Sequence, residues 1–361
     1  MRTKTARGSC VGQGMPPPLC EVASLWLNVL IIHKRNRERK GGTMKILITG
    51  TGLVGCHSAS ELISQGHSVW LFDASPNPKY IEAIAGKKRI KVLRGDLRDL
   101  PTLLRALKET KPPVVVHTAG FIGGEVANPP YRGVQTNTLG SANVFEACQI
   151  AGVKRVVHVS TFGVYDWENI RRGPVKENFP LGGHTFYHAT KIANELLLDA
   201  YARYYGFETV VIRPAGAYGP GHYRGGSTGG MNMNELVRAC LNGGPIVIHE
   251  QRIGKNDFVY AKDVARGIAL ACTVKGAAGK TFNIGTGEVY GPEDFQRVLK
   301  RLFPKREITI VRGSAGDRAG LSRVRLDLSQ SKRVLGYLPH FPLEKGFRDY
   351  IDRSRQMGFW A

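Results

Sequence analysis

From Met44 onward, short runs rich in Val, Ile and Leu alternate with longer amphipathic stretches, six runs in succession. The runs read "KILITG", "SVWLFDA", "IKVLRGDL", "PPVVVHTAG", "VKRVVHVST" and "FETVVIRPAG". Between them lie "HSASELISQG", "TLLRALKET", "NTLGSANVFEACQIAG" and "HATKIANELLLDAYARYYG". A strand that is apolar throughout must be covered on both faces, and a parallel neighbour needs a crossover long enough to hold a helix. The alternation therefore predicts an α/β chain built on a doubly wound, Rossmann-like parallel sheet. With 361 residues, 42% hydrophobic and 22% charged, the chain is long enough to bury such a core, and disordered or collagen-like readings are excluded.

After Gly216 the texture changes. "AYGPGHYRGGSTGGMNMN" is too rich in glycine for a core element and reads as a mobile loop bordering a cleft. "ELVRACLNG", "PIVIHE" and "NDFVYAKDVARGIALAC" follow, the last with Asp263 placed as a helix N-cap. This divides the chain into a dinucleotide-binding domain over 44–215, with a return segment near 255–285, and a smaller C-terminal substrate-binding lobe over 216–254 and 286–361. Residues 1–43 read as a poorly ordered extension or a misassigned start, because Met44 opens directly onto the first strand. Their apolar run "VASLWLNVLII" is too short to span a membrane, and the basic cluster follows it where a secretory signal would place it before.

The formal charge is +22, of which the first 43 residues, with eight Lys/Arg and two Glu, hold +6 and the rest +16. No long Lys/Arg run interrupts the body, so the excess favours anionic small molecules at a cleft over a nucleic acid partner. Six scattered cysteines with no CxxC pair and no histidine at metal-ligand spacing indicate neither a disulfide framework nor a metal site. That usage fits a reducing, cytoplasmic compartment.

Between the first strand and first helix stands "TGTGLVGC", with Gly50, Gly52 and Gly55 followed by a helix start. In that setting the amides around Leu53 and Val54, at the positive end of the helix, point at a pyrophosphate. Asp73 closes the second strand about twenty residues on, where a carboxylate accepts hydrogen bonds from the adenosine ribose and repels a 2′-phosphate. The pair favours NAD over NADP. Cys56, at the same helix start, reads either as a thiol of lowered pKa or as a small packing residue beside the phosphates.

Tyr187 and Lys191 lie four apart in "TFYHATKIANE", hence on one face of a helix. A phenol has a pKa of ~10, so serving as a base near neutrality takes about 4 kcal/mol of stabilisation of the phenolate. A neighbouring ammonium and an oxidised nicotinamide supply it. The fifth strand ends in Ser160 and Thr161, at the carboxyl edge of the sheet where ligands bind, and a hydroxyl there can hold a reacting oxygen against Tyr187.

From Met44 nearly to its end the chain resembles an extended short-chain dehydrogenase/reductase of the NAD-dependent epimerase/dehydratase family. The resemblance rests on "ITGTGLVG", "FDA", "RGDLRD", "VVVHTAG", "NTLGSANVFEAC", "VSTFGVY", "YHATK", "RPAGAYGPG" and "LDLSQSKRVLGYLP". It implies that Thr161 supplies the catalytic hydroxyl, that Tyr187 is the acid/base, and that Lys191 holds the nicotinamide ribose. It also implies that Asp96 and Leu97 flank the adenine, that Ala119 and Gly120 line the cofactor, and that Asn137 sits behind the catalytic residues. Ser160 and Pro214 complete the cofactor set. Family members often dimerise through the helices that begin near Leu139 and Tyr187, so a homodimer is expected.

The chain also departs from the family pattern. Its turn is one residue shorter than TGxxGxxG, which implies a slightly altered pyrophosphate cradle. Phe162 and Gly163 stand where sugar-nucleotide dehydratases carry an acidic pair, which disfavours dehydration. Gly216 replaces a substrate-contacting Asn, and Lys255 and Asn256 stand where an Arg often meets the diphosphate; both weaken the case for a nucleotide sugar. The resulting expectation is an enzyme that moves a hydride between NAD and a secondary alcohol carbon of a sugar-like or other polar hydroxy substrate. Phe121, Ile122, Thr161, His184, Gly216 and the loop from Tyr223 to Met231 are candidates for the substrate wall. Two alternatives stay open: a nucleotide-sugar 4-epimerase that retains tightly bound NAD, and a non-catalytic NAD-binding regulatory protein.

Overall fold

The computed structural model describes residues 42–86, 90–221, 227–313 and 324–358. The expectations placed on residues 1–41 and on Tyr223 lie outside them. Within the described residues seven parallel strands form the central sheet: β1 (Lys45–Thr49), β2 (Ser68–Asp73), β3 (Ile90–Arg94), β4 (Val114–His117), β5 (Arg155–Val159), β6 (Glu208–Pro214) and, from much later in the chain, a strand at Lys280–Ile284. The order across the sheet runs from Lys280–Ile284 through β6, β5, β4, β1 and β2 to β3, so the chain starts in the middle, winds to one edge and then to the other. The apolar runs of the sequence predict six strands. The seventh is the short run "KTFNI", which becomes a strand by pairing with β6 in the register Thr281 to Val211, with Phe282, Asn283 and Ile284 buried.

Helices α1 (Leu53–Ser64), α2 (Pro78–Ala85), α3 (Leu100–Thr110), the short α4 (Gly124–Ala127) and α5 (Pro130–Val134), α6 (Gly140–Ile150) and α7 (Phe186–Tyr205) cover the sheet. Period-two alternation divides each strand between two cores. Ile46 and Ile48 of β1 pack with Leu71, Val116 and Ile212 in one cluster, while Leu47 joins Phe72, Leu103, Val115, Phe145 and Leu198 in the other. β4 is buried along its whole length, as its unbroken "VVVH" requires. A π-helical turn, Gln135–Leu139, interrupts the helix read over "NTLGSANVFEACQIAG" and puts Asn137 in the interior.

The later chain adds β7 (Gly216–Tyr218), α8 (Thr228–Leu241), β8 (Ile246–His249), β9 (Phe258–Tyr260), α9 (Ala261–Thr273), the seventh central strand as β10, α10 (Pro292–Leu302), β11 (Ile308–Val311) and α11 (Leu343–Met357). A third core gathers Tyr218, Val237, Ile246, Phe258, Phe295 and Phe347 from these elements. Two sequence expectations change here. The glycine-rich stretch is helical from Thr228 on, because the Ser227 hydroxyl accepts the Gly230 N–H at 3.1 Å and starts α8. Asp263 is not an N-cap: Tyr260 holds that position, and the Asp263 carboxylate instead accepts the backbone N–H groups of His340 and Phe341 at 2.8 and 2.9 Å. No helix among the described residues is long and apolar enough to cross a membrane, and no group of three or more His, Cys, Asp or Glu among them could hold a metal ion.

Candidate active site

Close approach of backbone to backbone dictates the glycine turn after β1. Gly50 has φ +92°, and a methyl added there would lie 2.9 Å from the Ala119 backbone. At Gly55 an added methyl would meet the Gly50 carbonyl oxygen at 2.0 Å. Gly52 differs from both, for nothing lies within 4 Å of where its side chain would be. It is the N-cap of α1, no side chain caps that helix, and its first turn holds no acidic residue, so the amides following Gly52 at Leu53 and Val54 face space open to an anion. Asp73 ends β2 beside this turn. Its Oδ2 accepts Thr51 N–H at 2.7 Å and the Thr51 hydroxyl at 3.0 Å, while Oδ1 accepts Ser75 N–H at 2.8 Å. An ionised carboxylate has about four acceptor sites, so capacity remains for ribose hydroxyls. Cys56 follows the packing reading: its thiol donates to the Thr51 carbonyl, and burial together with the Asp73 charge pushes its pKa up to about 12.

Asp96 and Leu97 follow β3. Asp96 is held below the usual carboxylate range by its contact with Arg98, and Leu97 is wedged against Gly140, where an added methyl would lie 2.9 Å from Leu97 Cβ. Ala119 and Gly120 follow β4, and Gly120 faces Asn137, whose Oδ1 would stand 3.1 Å from a methyl at that glycine. Asn137 accepts Phe121 N–H at 2.7 Å and donates to Phe121 O and to Thr190 Oγ1 at 3.0 and 3.2 Å. The residue thus ties the loop after β4 to the helix that carries Tyr187.

That helix starts where the Thr185 hydroxyl accepts His188 N–H at 3.1 Å. One turn separates Tyr187 from Lys191, and the Lys191 Nζ lies 5.9 Å from the phenol ring centroid. Lys191 is 4% exposed and donates to the Val159 carbonyl of β5 at 2.8 Å. Burial lowers its pKa from 10.5 to about 8, against the opposing pull of Glu195. Burial also raises the Tyr187 phenol above its ordinary value. The lowering expected from the lysine is thus outweighed in the chain alone, because the ammonium is itself partly desolvated and the second positive charge would come with the nicotinamide. Thr161 is buried at the end of β5, and its oxygen accepts Gly163 N–H at 3.1 Å, which leaves its own O–H to donate elsewhere. Ser160 Oγ is buried beside it without a hydrogen-bond partner.

The structure therefore places Ser160 and Thr161 just past the carboxyl end of β5, with Tyr187 and Lys191 on the first turns of α7 and Asn137 on the π-helical turn, joined to them through Lys191 to Val159 O and Asn137 to Thr190. Pro214 closes β6 and Gly216 opens β7 at the same end of the sheet. The substrate-wall candidates are more dispersed. Phe121 lies under the Arg132 guanidinium at 4.8 Å, while His184 is 58% exposed, with Asp166 and Glu168 carboxylates 3.8 and 3.7 Å away. Met231 lies inside α8.

Three features escaped the sequence reading. Glu195 and Arg213 form a buried bidentate pair at 3.0 and 2.5 Å between α7 and β6, one helical turn beyond Lys191. His117 and His158 sit side by side on β4 and β5, rings 5.3 Å apart; His117 bridges Thr49 and Ser141, whereas neither ring nitrogen of His158 has a partner. Asn256 stands against Gly216, its Nδ2 2.8 Å from where a methyl would be, with its Oδ1 buried and unpartnered. The i, i+4 spacing from Lys191 was a visible signal for Glu195; the other two arise from cross-strand pairing.

A family model described as "NAD dependent epimerase/dehydratase family" matches residues 46–285. A UDP-glucose 4-epimerase of Mycolicibacterium smegmatis is 29% identical over 319 residues, covering 86% of this chain and 99% of that one. The structure of a UDP-glucose 4-epimerase from Thermotoga maritima, solved with UDP-glucose, aligns with a TM-score of 0.74 at 26% identity, over 87% of this chain and 99% of that one. A Thermus thermophilus UDP-glucose 4-epimerase in complex with NAD aligns with a TM-score of 0.72 at 27% identity, over 86% and 99%.

Proposed function

The chain belongs to the NAD-dependent epimerase/dehydratase family, and from that premise we propose that it is an NAD-dependent nucleotide-sugar epimerase with Tyr187 as acid/base. Membership makes it an NAD-dependent enzyme of the extended short-chain dehydrogenase/reductase type acting on a sugar-like small molecule. Three similar proteins named UDP-glucose 4-epimerase support the narrower substrate class. The doubt raised by Gly216 weakens, because the Asn256 amide stands directly beside that glycine. The observation that carries the reading is the Tyr187, Lys191 and Thr161 set beside a glycine turn whose helix amides are uncapped.

NAD, when bound, supplies a carbon that accepts a hydride from the substrate and returns it. Gly52 leaves room for the pyrophosphate, and the α1 amides and Asp73 would hold its phosphate and ribose ends. The Thr161 O–H would donate to the substrate oxygen at the reacting carbon, and Tyr187 would take the proton from that oxygen. Lys191, with one ammonium proton committed to Val159 O, keeps two for the ribose and the phenolate. Residues 44–215 with 255–285 would bind the dinucleotide, and 216–254 with 286–361 would take the sugar. Exposed Leu139 and Ile150 on one side and Leu196 and Tyr204 of α7 on the other support a homodimer through these helices.

The test is a panel of UDP-hexoses and UDP-hexuronic acids followed by NMR for inversion and by absorbance for net reduction of NAD. Inversion without net reduction, abolished by Tyr187→Phe while NAD still binds, is the expected result. Net reduction that tracks product would reassign the enzyme as a dehydrogenase. NAD binding with no turnover anywhere would favour the regulatory alternative.

A further inference from the structure

The sequence "YHATK" puts a bulky, titratable side chain immediately after the acid/base, and the structure gives it a defined seat. A methyl added at Gly163 would lie 2.2 Å from His188 Nε2 and 2.5 Å from its Cδ2, and one added at Gly183 would lie 2.4 Å from His188 Cβ. The His188 side chain thus packs against two backbone segments whose glycines leave no room for a methyl while it keeps its place. One is the 3₁₀ turn Phe162–Val164, which begins at Thr161; the other is the loop Gly182–Gly183–His184 that leads into α7. The imidazole also stands 5.7 Å, ring to ring, from Tyr187.

Neither glycine owes its identity to backbone conformation, since neither has a positive φ. Gly163 leaves room for the imidazole itself, and Gly183 for the Cβ and backbone of position 188 and for Ile192. Because the Gly163 N–H donates to Thr161 Oγ1, whatever fixes the Gly163 backbone also fixes the direction in which the Thr161 hydroxyl can donate.

We propose that His188 is a positioning residue: seated at its Cβ against Gly183, it sets its imidazole against Gly163 and holds the 161–164 turn at the distance from Tyr187 that lets one substrate oxygen meet both the Thr161 hydroxyl and the phenol. The glycine at 163 is the complement of that imidazole. Interiors are packed closely enough that a void or an overlap of one methyl group is felt, so the two positions act as one unit. This inference rests on the catalytic reading of Thr161 and Tyr187 given above.

A double-substitution cycle on the full chain tests it, with His188→Ala, Gly163→Ala and the two combined, plus His188→Gln, whose amide nitrogen reaches the place of Nε2. Thermal unfolding is measured for all, with the Kd for NAD and, on a substrate that the wild type turns over, kcat and KM. His188→Ala is expected to lower kcat about tenfold with less than a twofold change in NAD affinity, and His188→Gln to restore most of the loss. Gly163→Ala is expected to be the most damaging single change, and the combined variant to melt higher and turn over faster than Gly163→Ala alone. Additive losses in melting temperature would overturn the positioning role, as would a His188→Ala enzyme with unchanged kcat. A wild-type chain silent toward every sugar nucleotide would refute the catalytic reading and leave the unfolding cycle to judge the packing alone.

Discussion

Replacing Lys191 with methionine separates what the lysine does for the fold from what it does for the reaction. Its ammonium is almost completely buried, with one hydrogen bond, to Val159 O. A pKa lowered from 10.5 to about 8 means that the folded protein disfavours the charged form by about 3 kcal/mol. For a base with a depressed folded pKa, the unfolded chain binds more protons between pH 8 and 10.5, so wild-type stability rises with pH across that window. Below pH 8 the penalty is present in full. Methionine carries no charge and has a comparable length, but it leaves the Val159 carbonyl without its donor, which costs about 1 kcal/mol. Lys191→Met should therefore be more stable than wild type by about 2 kcal/mol at pH 7, and the gain should disappear above pH 10.5. The rate moves the other way. A charge 5.9 Å from the ring stabilises a phenolate by about 3 kcal/mol at an effective dielectric constant of ~20, so turnover at pH 7 should fall about 100-fold. Urea unfolding of both proteins, stripped of NAD because a tightly held ligand would mask the difference, measures the first effect at pH 7 and pH 10.5. A variant less stable than wild type at pH 7, or a gain that does not change with pH, would refute this account of the buried ammonium.

Gly55→Ala should abolish NAD binding and impair folding, since its methyl would lie 2.0 Å from the Gly50 carbonyl oxygen; Gly52→Ala should fold normally and weaken NAD, as titration by fluorescence would reveal. His158 should be replaceable by phenylalanine with a gain of about 1 kcal/mol at pH 7, because its two ring nitrogens are buried without partners. Burial lowers the folded pKa of both His117, to about 3, and His158, so their contribution is intact above the unfolded value near 6.5 and is lost as pH falls below it. His158→Phe should accordingly flatten the acid side of the stability profile, and an unchanged profile would contradict this. If the proposed homodimer forms through α7, wild type should scatter light as a dimer and Leu196→Glu as a monomer, since Leu196 is 64% exposed on α7, and a monomeric wild type would refute the dimer.

The central sheet was legible because buried parallel strands are written as unbroken β-branched runs, and "PPVVVHTAG" and "VKRVVHVST" became β4 and β5 with every residue of the strands buried. The phenol and ammonium were legible because helical geometry converts a spacing of four into proximity. β10 was missed because "KTFNI" has no strand signal of its own strength and acquires its structure from β6. Asp263 looked like an N-cap by position, yet its partners, His340 and Phe341, lie 77 and 78 residues away, beyond the reach of any local rule. The fit of His188 against Gly163 belongs to the same class, for a glycine in sequence does not say whose side chain occupies the room it leaves.

The helix bearing Tyr187 is pinned on successive turns: Lys191 to Val159 O of β5, Asn194 Nδ2 to the Asn137 carbonyl, and Glu195 to Arg213 of β6. A cylinder fastened at several points along one face cannot roll about its axis, and the phenol is held with it. Attempts to retarget the enzyme by reshaping this helix would therefore meet the resistance of the whole sheet. His184, an exposed candidate for the substrate wall, makes none of these fastenings, so a new side chain there leaves the helix pinned.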